Sequence, residues 1–70
     1  MRFIDLHDNV NGAVVSFALD KIAVVTENTI PEYYKGANAL VYCIGLPYPI
    51  GIAEKRLDAI RLLTEGVGQL

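Results

Sequence analysis

Short apolar runs that alternate with polar positions extend from Phe3 to Ile52, and one amphipathic segment, Glu54 to Glu65, follows them. Alternation with a period of two is typical of half-buried strands, whereas apolar residues three and four positions apart are typical of a helix. One helix can cover only one face of a small sheet. We therefore predict that the other face meets water or a second copy of the chain.

The length of 70 residues suits a single domain, 1–70, which would bury only about 60% of the surface of its unfolded chain. Domains of this size usually gain stability from disulfides, a metal or a partner subunit. Cys43 is the sole cysteine, and together with His7 it gives too few soft ligands for a structural zinc site. Hydrophobic residues make up 53% of the chain and the mean hydropathy is +0.35. We therefore expect no metal or cofactor, and association into a homodimer or higher oligomer.

The charge distribution argues against two classes of partner. The net charge is −2, the isoelectric point is about 5.1, and the six basic residues are scattered rather than clustered as a nucleic-acid footprint requires. No apolar run reaches the roughly 18 residues of a membrane span, and the first residues lack the long apolar core of a signal peptide. A single unpaired thiol suits a reducing compartment. We expect a cytoplasmic protein that binds neither nucleic acid nor membrane.

The first half of the chain predicts a hairpin and a third strand. Residues 2–8 alternate as a half-buried strand does, Asn11-Gly12 is a strong hairpin turn signal, and 13–19 is rich in β-forming residues. A bend at Asp20-Lys21 precedes a third strand over 22–26. The larger side chains of the second strand should face the core: Val15, Phe17 and Leu19. Residues 13–26 also allow a helical reading, but their content of Val, Phe, Ile and Thr favours strands.

The second half predicts a loop, two further strands and the helix. Glu27 to Asn38 has the composition of a loop, 39–44 that of a fourth strand, and 48–52 that of a short fifth strand. The fifth strand should lie at an edge because the prolines beside it cannot donate to a central ladder.

The helix is predicted over 54–65, with a tail over 66–70. Its apolar spacing places one buried stripe on Ala53, Leu57, Ile60 and Leu63 or Thr64. The predicted fold is α+β: a small antiparallel sheet of four to five strands within 2–52 and one C-terminal amphipathic helix.

Few residues suggest chemistry. Asp5 and His7 share a strand face and could cooperate as an acid and a base, but no nucleophile can be assigned to them, which favours a solvated polar face. Cys43 lies among apolar residues in the sequence. A thiol in such a segment is usually buried, and burial raises its pKa.

The remaining charged and glycine residues predict no reaction. Glu27 with Glu32, and Glu54 with Asp58, are too sparse for a metal site and are read as surface charge. The glycines are read as turn residues. Residues 50–52, before the helix, could hold an anion on backbone N–H groups, although many helices begin this way without a ligand. We predict that the protein is not an enzyme.

Two tyrosine-bearing loops are the candidate binding residues. They are the segments Tyr33-Tyr34-Lys35 and Pro47-Tyr48-Pro49. Aromatic side chains in loops supply large, amphipathic contact area at a low entropic cost. The alternative is that both loops only cover an open end of the sheet.

The layout resembles that of the FlbD-like proteins, a family of short flagellar regulators, and of phage and bacterial proteins of similar plan. The resemblance is carried by five short segments: Phe3-Ile4-Asp5-Leu6, Asn11-Gly12, Leu19-Asp20-Lys21-Ile22, Val25-Thr26-Glu27 and Ile50-Gly51-Ile52-Ala53-Glu54. The long tyrosine-bearing loop and Leu46-Pro47-Tyr48-Pro49 depart from the family pattern. The resemblance implies a non-enzymatic accessory protein that acts by contact.

Two functions are compatible with these features. The first is a homo-oligomeric protein-interaction module, of the phage accessory or inhibitor type, whose tyrosine loops bind a larger host protein. The second is an oligomer that encloses a small anionic molecule, such as a nucleotide, between tyrosine rings and Lys35, Lys55 or Arg56.

Overall fold

The computed structural model describes residues 2–68, with side chains described as far as residue 65. Its elements in chain order are the strands and helices β1 Phe3–His7, β2 Val14–Ala18, a 3₁₀ turn Leu19–Lys21, β3 Ile22–Glu27, β4 Ala39–Cys43, β5 Ile50–Ile52 and α1 Arg56–Gly68. The α+β class is confirmed. The helix begins two residues later than predicted and continues into the segment that was predicted to be a tail; residues 69 and 70 of that tail lie outside the described residues.

The strands form two small antiparallel sheets, so the prediction of one sheet is wrong. One sheet has the order β1-β2 and the other β3-β4-β5. The 3₁₀ turn Leu19–Lys21 explains the division, because it turns the chain sharply after β2 and β3 then pairs with β4 rather than with β2. The sheets touch where Asp8 bridges Ile52 and the Ala53 N–H donates to the His7 carbonyl oxygen over 2.8 Å.

The β1–β2 hairpin has the predicted turn. The Asp8 N–H donates to the Ala13 carbonyl oxygen over 2.8 Å, and the Gly12 N–H donates to the Asp8 carbonyl oxygen over 3.0 Å. Gly12 has a φ of 73°, a left-handed conformation that favours glycine. The register aligns Ile4 with Phe17, which places both on the inner face.

Both sheets and the helix contribute to one core. Its fully or almost fully buried members are Leu6, Phe17, Ala39, Val41, Ile52 and Ala59. Val15 packs against this cluster as predicted, whereas Leu19 lies in the 3₁₀ turn and is half-buried. The inner face of each sheet is therefore covered within one chain.

The helix buries a different stripe from the predicted one. Ala59 is fully buried and Leu62 packs against the core, while Leu57 is 68% exposed and Ile60 is 37% exposed. Ala53, the predicted start of the stripe, precedes the helix. Apolar residues occur on two sides of this segment, and the small Ala59 allows the helix to approach the strands closely. Among the described residues, no helix is long and apolar enough to span a membrane.

Candidate functional site

The two tyrosine loops meet on one side of the molecule. Tyr33 and Tyr34, from the loop between β3 and β4, line a groove with Tyr48 and Pro49, from the loop between β4 and β5. Ile30 completes the lining, and the groove has a volume of about 410 Å³. We call these five residues the tyrosine surface.

Tyr34 anchors this surface to the sheet. Its hydroxyl donates to the Pro49 carbonyl oxygen over 2.8 Å, which ties the two loops together. Its ring lies over Gly51 of β5: a Cβ atom at residue 51 would be 3.2 Å from Cδ1 of Tyr34 and 3.1 Å from Cβ of Ala37. Tyr34 therefore covers the sheet, as the alternative interpretation of the loops predicts.

Asn28 holds the first loop in shape. Its side-chain amide donates to the carbonyl oxygens of Tyr34, over 2.8 Å, and Ala37, over 3.1 Å. Its Oδ1 atom accepts from the Ile30 N–H over 3.2 Å.

Leu40 is completely buried and shares the outer sheet face with Gly51, outside the main core cluster. The loop thus covers part of the outer face of the three-stranded sheet.

Tyr33 and Tyr48 differ from Tyr34 in exposure. They are 79% and 75% exposed, respectively, although both line the same groove. Two aromatic side chains, one from each loop, are thus held at the surface above the hydrogen bond that joins the loops. This arrangement can present a rigid aromatic contact area to a partner.

Lys35 lines a second groove, which the loop between β3 and β4 helps to form. This groove has a volume of about 530 Å³, and Tyr33 and Tyr34 also line it. The acidic residues Asp8 and Glu32 line the same groove. The Asn9 side-chain amide donates to the Lys35 carbonyl oxygen over 3.0 Å and fixes its backbone.

The other predicted residues lie apart from the tyrosines. Pro47 is exposed and lines neither groove. Lys55 and Arg56 line a separate groove of about 600 Å³ near the start of the helix, where Nε of Arg56 is 3.8 Å from Oε1 of Glu27. No tyrosine lines that groove. Of the three cations proposed to flank an anion, one protomer places only Lys35 beside the tyrosine rings.

His7 and Glu54 form a contact that sequence reasoning missed. Nδ1 of His7 is 2.6 Å from Oε2 of Glu54, and the His7 backbone N–H donates to both carboxylate oxygens, over 2.9 and 3.1 Å. Partial burial by itself raises the pKa of Glu54, but the hydrogen bonds from His7 outweigh it and the pKa lies below its ordinary value. Asp5, which the sequence allowed as a partner of His7, accepts from the Ser16 hydroxyl over 2.6 Å.

Two further predictions can be compared with the structure. Cys43 is half-buried against the core, and burial raises the pKa of its thiol, as predicted. Residues 50–52 form β5, whose backbone pairs with β4 and meets the end of β1. That segment is therefore part of the sheet and is not an open loop aimed at an anion. Within residues 2–68, no group of three or more His, Cys, Asp and Glu side chains is placed to hold a metal ion.

Comparison with known proteins finds no family model, no curated protein and no solved structure that matches this chain.

Proposed function

We propose that this chain is a small, non-enzymatic, homo-oligomeric interaction module that binds a larger protein through the tyrosine surface. The observation that supports this best is the pairing of two highly exposed tyrosines, Tyr33 and Tyr48, in one groove that Tyr34 fixes from below. Tyrosines are enriched among the residues that contribute most to binding at protein interfaces. A rigid surface also loses little conformational entropy on binding.

The self-association part of the proposal is supported by exposed apolar side chains. Among the side chains that the structure describes, eleven large hydrophobic ones are more than a third exposed, and they lie on several elements: Phe3, Val10, Val14, Val24, Tyr33, Tyr42, Ile44, Leu46, Tyr48, Leu57 and Ile60. Removal of apolar side chains from water is the main favourable contribution to association. Contact between copies would cover some of these side chains.

The host-directed part of the proposal is a phage-type accessory or inhibitor protein that works in the cytoplasm. Support for it comes from the resemblance to the FlbD-like proteins and from the unpaired thiol of Cys43, which suits a reducing compartment.

Affinity capture followed by a binding measurement tests the tyrosine surface. Immobilised wild-type protein is used to capture partners from the native host lysate, and a captured protein is then purified and titrated by calorimetry. Replacement of both exposed rings, by Tyr33→Ala and Tyr48→Ala, should weaken binding at least about tenfold. Tyr42→Ala, on the outer face of β4, is the matched control and should leave the affinity unchanged. Equal affinity of the double variant and the wild type would refute the tyrosine surface.

A second candidate function is the binding of a small anion such as a nucleotide. The position of Lys35 beside Tyr33 favours it, because aromatic stacking next to a cation suits such ligands. A thermal-shift screen with nucleoside mono-, di- and triphosphates separates the two candidates. A rise of several degrees that Lys35→Ala abolishes would support the anion site, whereas no shift with any nucleotide favours protein contact.

A further inference from the structure

Strand β2 has one edge that no other described strand occupies. β1 and β2 form a sheet of their own, and β3, which follows the 3₁₀ turn, pairs with β4. A strand edge of this kind presents backbone N–H and C=O groups to which a further strand can be added.

The hydrogen bonds at the two ends of the hairpin show which groups face this edge. The Leu19 N–H donates to the Arg2 carbonyl oxygen over 3.0 Å, and the Asp8 N–H donates to the Ala13 carbonyl oxygen over 2.8 Å. Bonded pairs recur at every second residue of an antiparallel ladder. The odd-numbered residues of 13–19 therefore direct their backbone groups toward β1.

The even-numbered residues direct their backbone groups toward the open edge. These residues are Val14, Ser16 and Ala18, and their side chains share the outer face of the hairpin. Val14 is 60% exposed, and Ser16 is exposed as well.

We propose that two copies of the chain associate through this edge, with antiparallel pairing of their β2 strands about a twofold axis at Ser16. In this register Ser16 faces Ser16 of the second copy, and Val14 faces Ala18 of the second copy. Each of the three residues then exchanges both of its backbone hydrogen bonds with the residue opposite. The inference rests on the self-association in the proposed function and assigns the surface that makes it.

The absence of charged side chains on β2 suits pairing with an identical strand. Residues 9–19 carry no charged side chain, so two copies can align without repulsion. The outer edges of β1 and β5 meet each other through the Asp8–Ile52 bridge and the bond from the Ala53 N–H to the His7 carbonyl oxygen, which leaves the edges of β2 and β3. The edge of β3 is different: Lys21 precedes it, Glu27 ends it, and its register is irregular between Ile22 and Val24. Charges and bulges are the features that discourage pairing at an edge. Of the two edges, β2 is the one suited to a second copy.

Apolar side chains also become continuous in this register. On the outer face, Phe3 lies opposite Ala18 within the hairpin, and Ala18 lies beside Val14 of the second copy. Phe3 and Val14 are 58% and 60% exposed in one chain, so the new row covers apolar area. On the inner face, the partly exposed Val15 faces Phe17 of the second copy. The tyrosine surface does not take part and stays available to a protein partner.

Sedimentation equilibrium of three variants tests this edge. Because Asp5 lies opposite Ser16 and would neutralise a lysine there, this substitution is made in an Asp5→Asn background. Ser16→Lys then places two unpaired ammonium groups opposite each other at the axis and should raise the dissociation constant of the dimer at least about tenfold relative to Asp5→Asn alone. Ser16→Thr keeps the hydroxyl group and should leave the dimer unchanged. Ala23→Lys puts the same charge at an exposed position of β3 and should also leave it unchanged. Circular dichroism and thermal unfolding of Ser16→Lys check that the fold is retained.

Disulfide cross-linking gives an independent measure of proximity. Residues opposite each other in a bonded antiparallel pair have Cα atoms about 5.5 Å apart, within the range of a disulfide. In a Cys43→Ala background, Ser16→Cys should form a covalent dimer on mild oxidation, and Ala23→Cys should not.

The outcomes separate this inference from the proposed function. A dimer that Ser16→Lys leaves intact in the Asp5→Asn background, or cross-linking through Ala23→Cys alone, would refute the β2 edge and leave self-association standing. A wild-type monomer at high micromolar concentration would refute both. The calorimetric test of the tyrosine surface is independent of either result.

Discussion

Nδ1 of His7 lies 2.6 Å from Oε2 of Glu54, and this contact joins the end of β1 to the residue that lies two positions before the helix. The His7 backbone N–H donates to the same carboxylate. The adjoining Ala53 N–H donates to the His7 carbonyl oxygen. The start of the helix is therefore fixed to β1 by both main-chain and side-chain bonds.

This contact predicts a pH dependence of stability. Because the pKa of Glu54 is lower in the folded protein than its ordinary value of 4.5, its ionised form stabilises the fold above that pH, and the contribution is lost as the pH falls through the folded-state pKa. Glu54→Ala should lower the free energy of unfolding by about 1–3 kcal/mol at neutral pH and by less under acidic conditions. Urea unfolding at several pH values measures both. The exposed Glu32→Ala is the control; an equal loss at all pH values for Glu54→Ala would contradict the assignment.

Gly51 predicts a steric requirement beneath Tyr34. A Cβ atom there would collide with Oδ1 of Asn9 and would come within 3.2 Å of Cδ1 of Tyr34. Gly51→Ala should therefore destabilise the protein by about 1–3 kcal/mol, as overpacking does. Combining it with Asn9→Ala removes one of the colliding atoms, so the double variant should be less destabilised than the sum of the two single variants. Additive losses in denaturant unfolding would argue against the collision.

The hydroxyl of Tyr34 predicts a contrast between neighbouring tyrosines. Tyr34→Phe removes the hydrogen bond to the Pro49 carbonyl oxygen and should lower stability by about 1 kcal/mol. Tyr33→Phe, at a side chain that is 79% exposed, should change stability very little. The thermal midpoints of the two variants make the comparison, and similar midpoints would mean that Tyr34 does not anchor the loops.

Two substitutions test which side of the helix faces the core. Ala59→Leu adds volume at a fully buried position and should cost about 1–3 kcal/mol. Leu57→Ala, at a position 68% exposed, should leave stability almost unchanged in a monomeric state. The opposite order of stabilities would restore the stripe predicted from the sequence.

The sequence predicted the elements more successfully than their arrangement. The hairpin followed from Asn11-Gly12 and the period of two on either side, because both are local signals. The division into two sheets depends on the direction taken by the chain after Leu19–Lys21, which no local pattern determines. The buried side of the helix was predicted wrongly for a related reason. Leu57 and Ala59 are both apolar, and only contact with the strands determines which of them is buried.

The sequence predicted only part of the site, because its local patterns identify residues and not the contacts between distant ones. Loop composition identified Tyr33, Tyr34 and Tyr48, yet the different exposure of Tyr34 depends on Gly51, to which no sequence pattern linked it. The pairing of His7 with Glu54 spans 47 positions and required knowledge that the end of β1 meets the chain beyond β5. Long-range contacts of this kind have no periodic signature.

The most direct test of the account is the molecular mass of the wild-type protein by sedimentation equilibrium, from low to high micromolar concentration at neutral pH. The chain has a mass of 7.7 kDa. We predict a mass that rises with concentration to that of a dimer or a larger assembly, because association covers apolar side chains that one chain leaves exposed. A constant mass of one chain throughout this range would contradict the account.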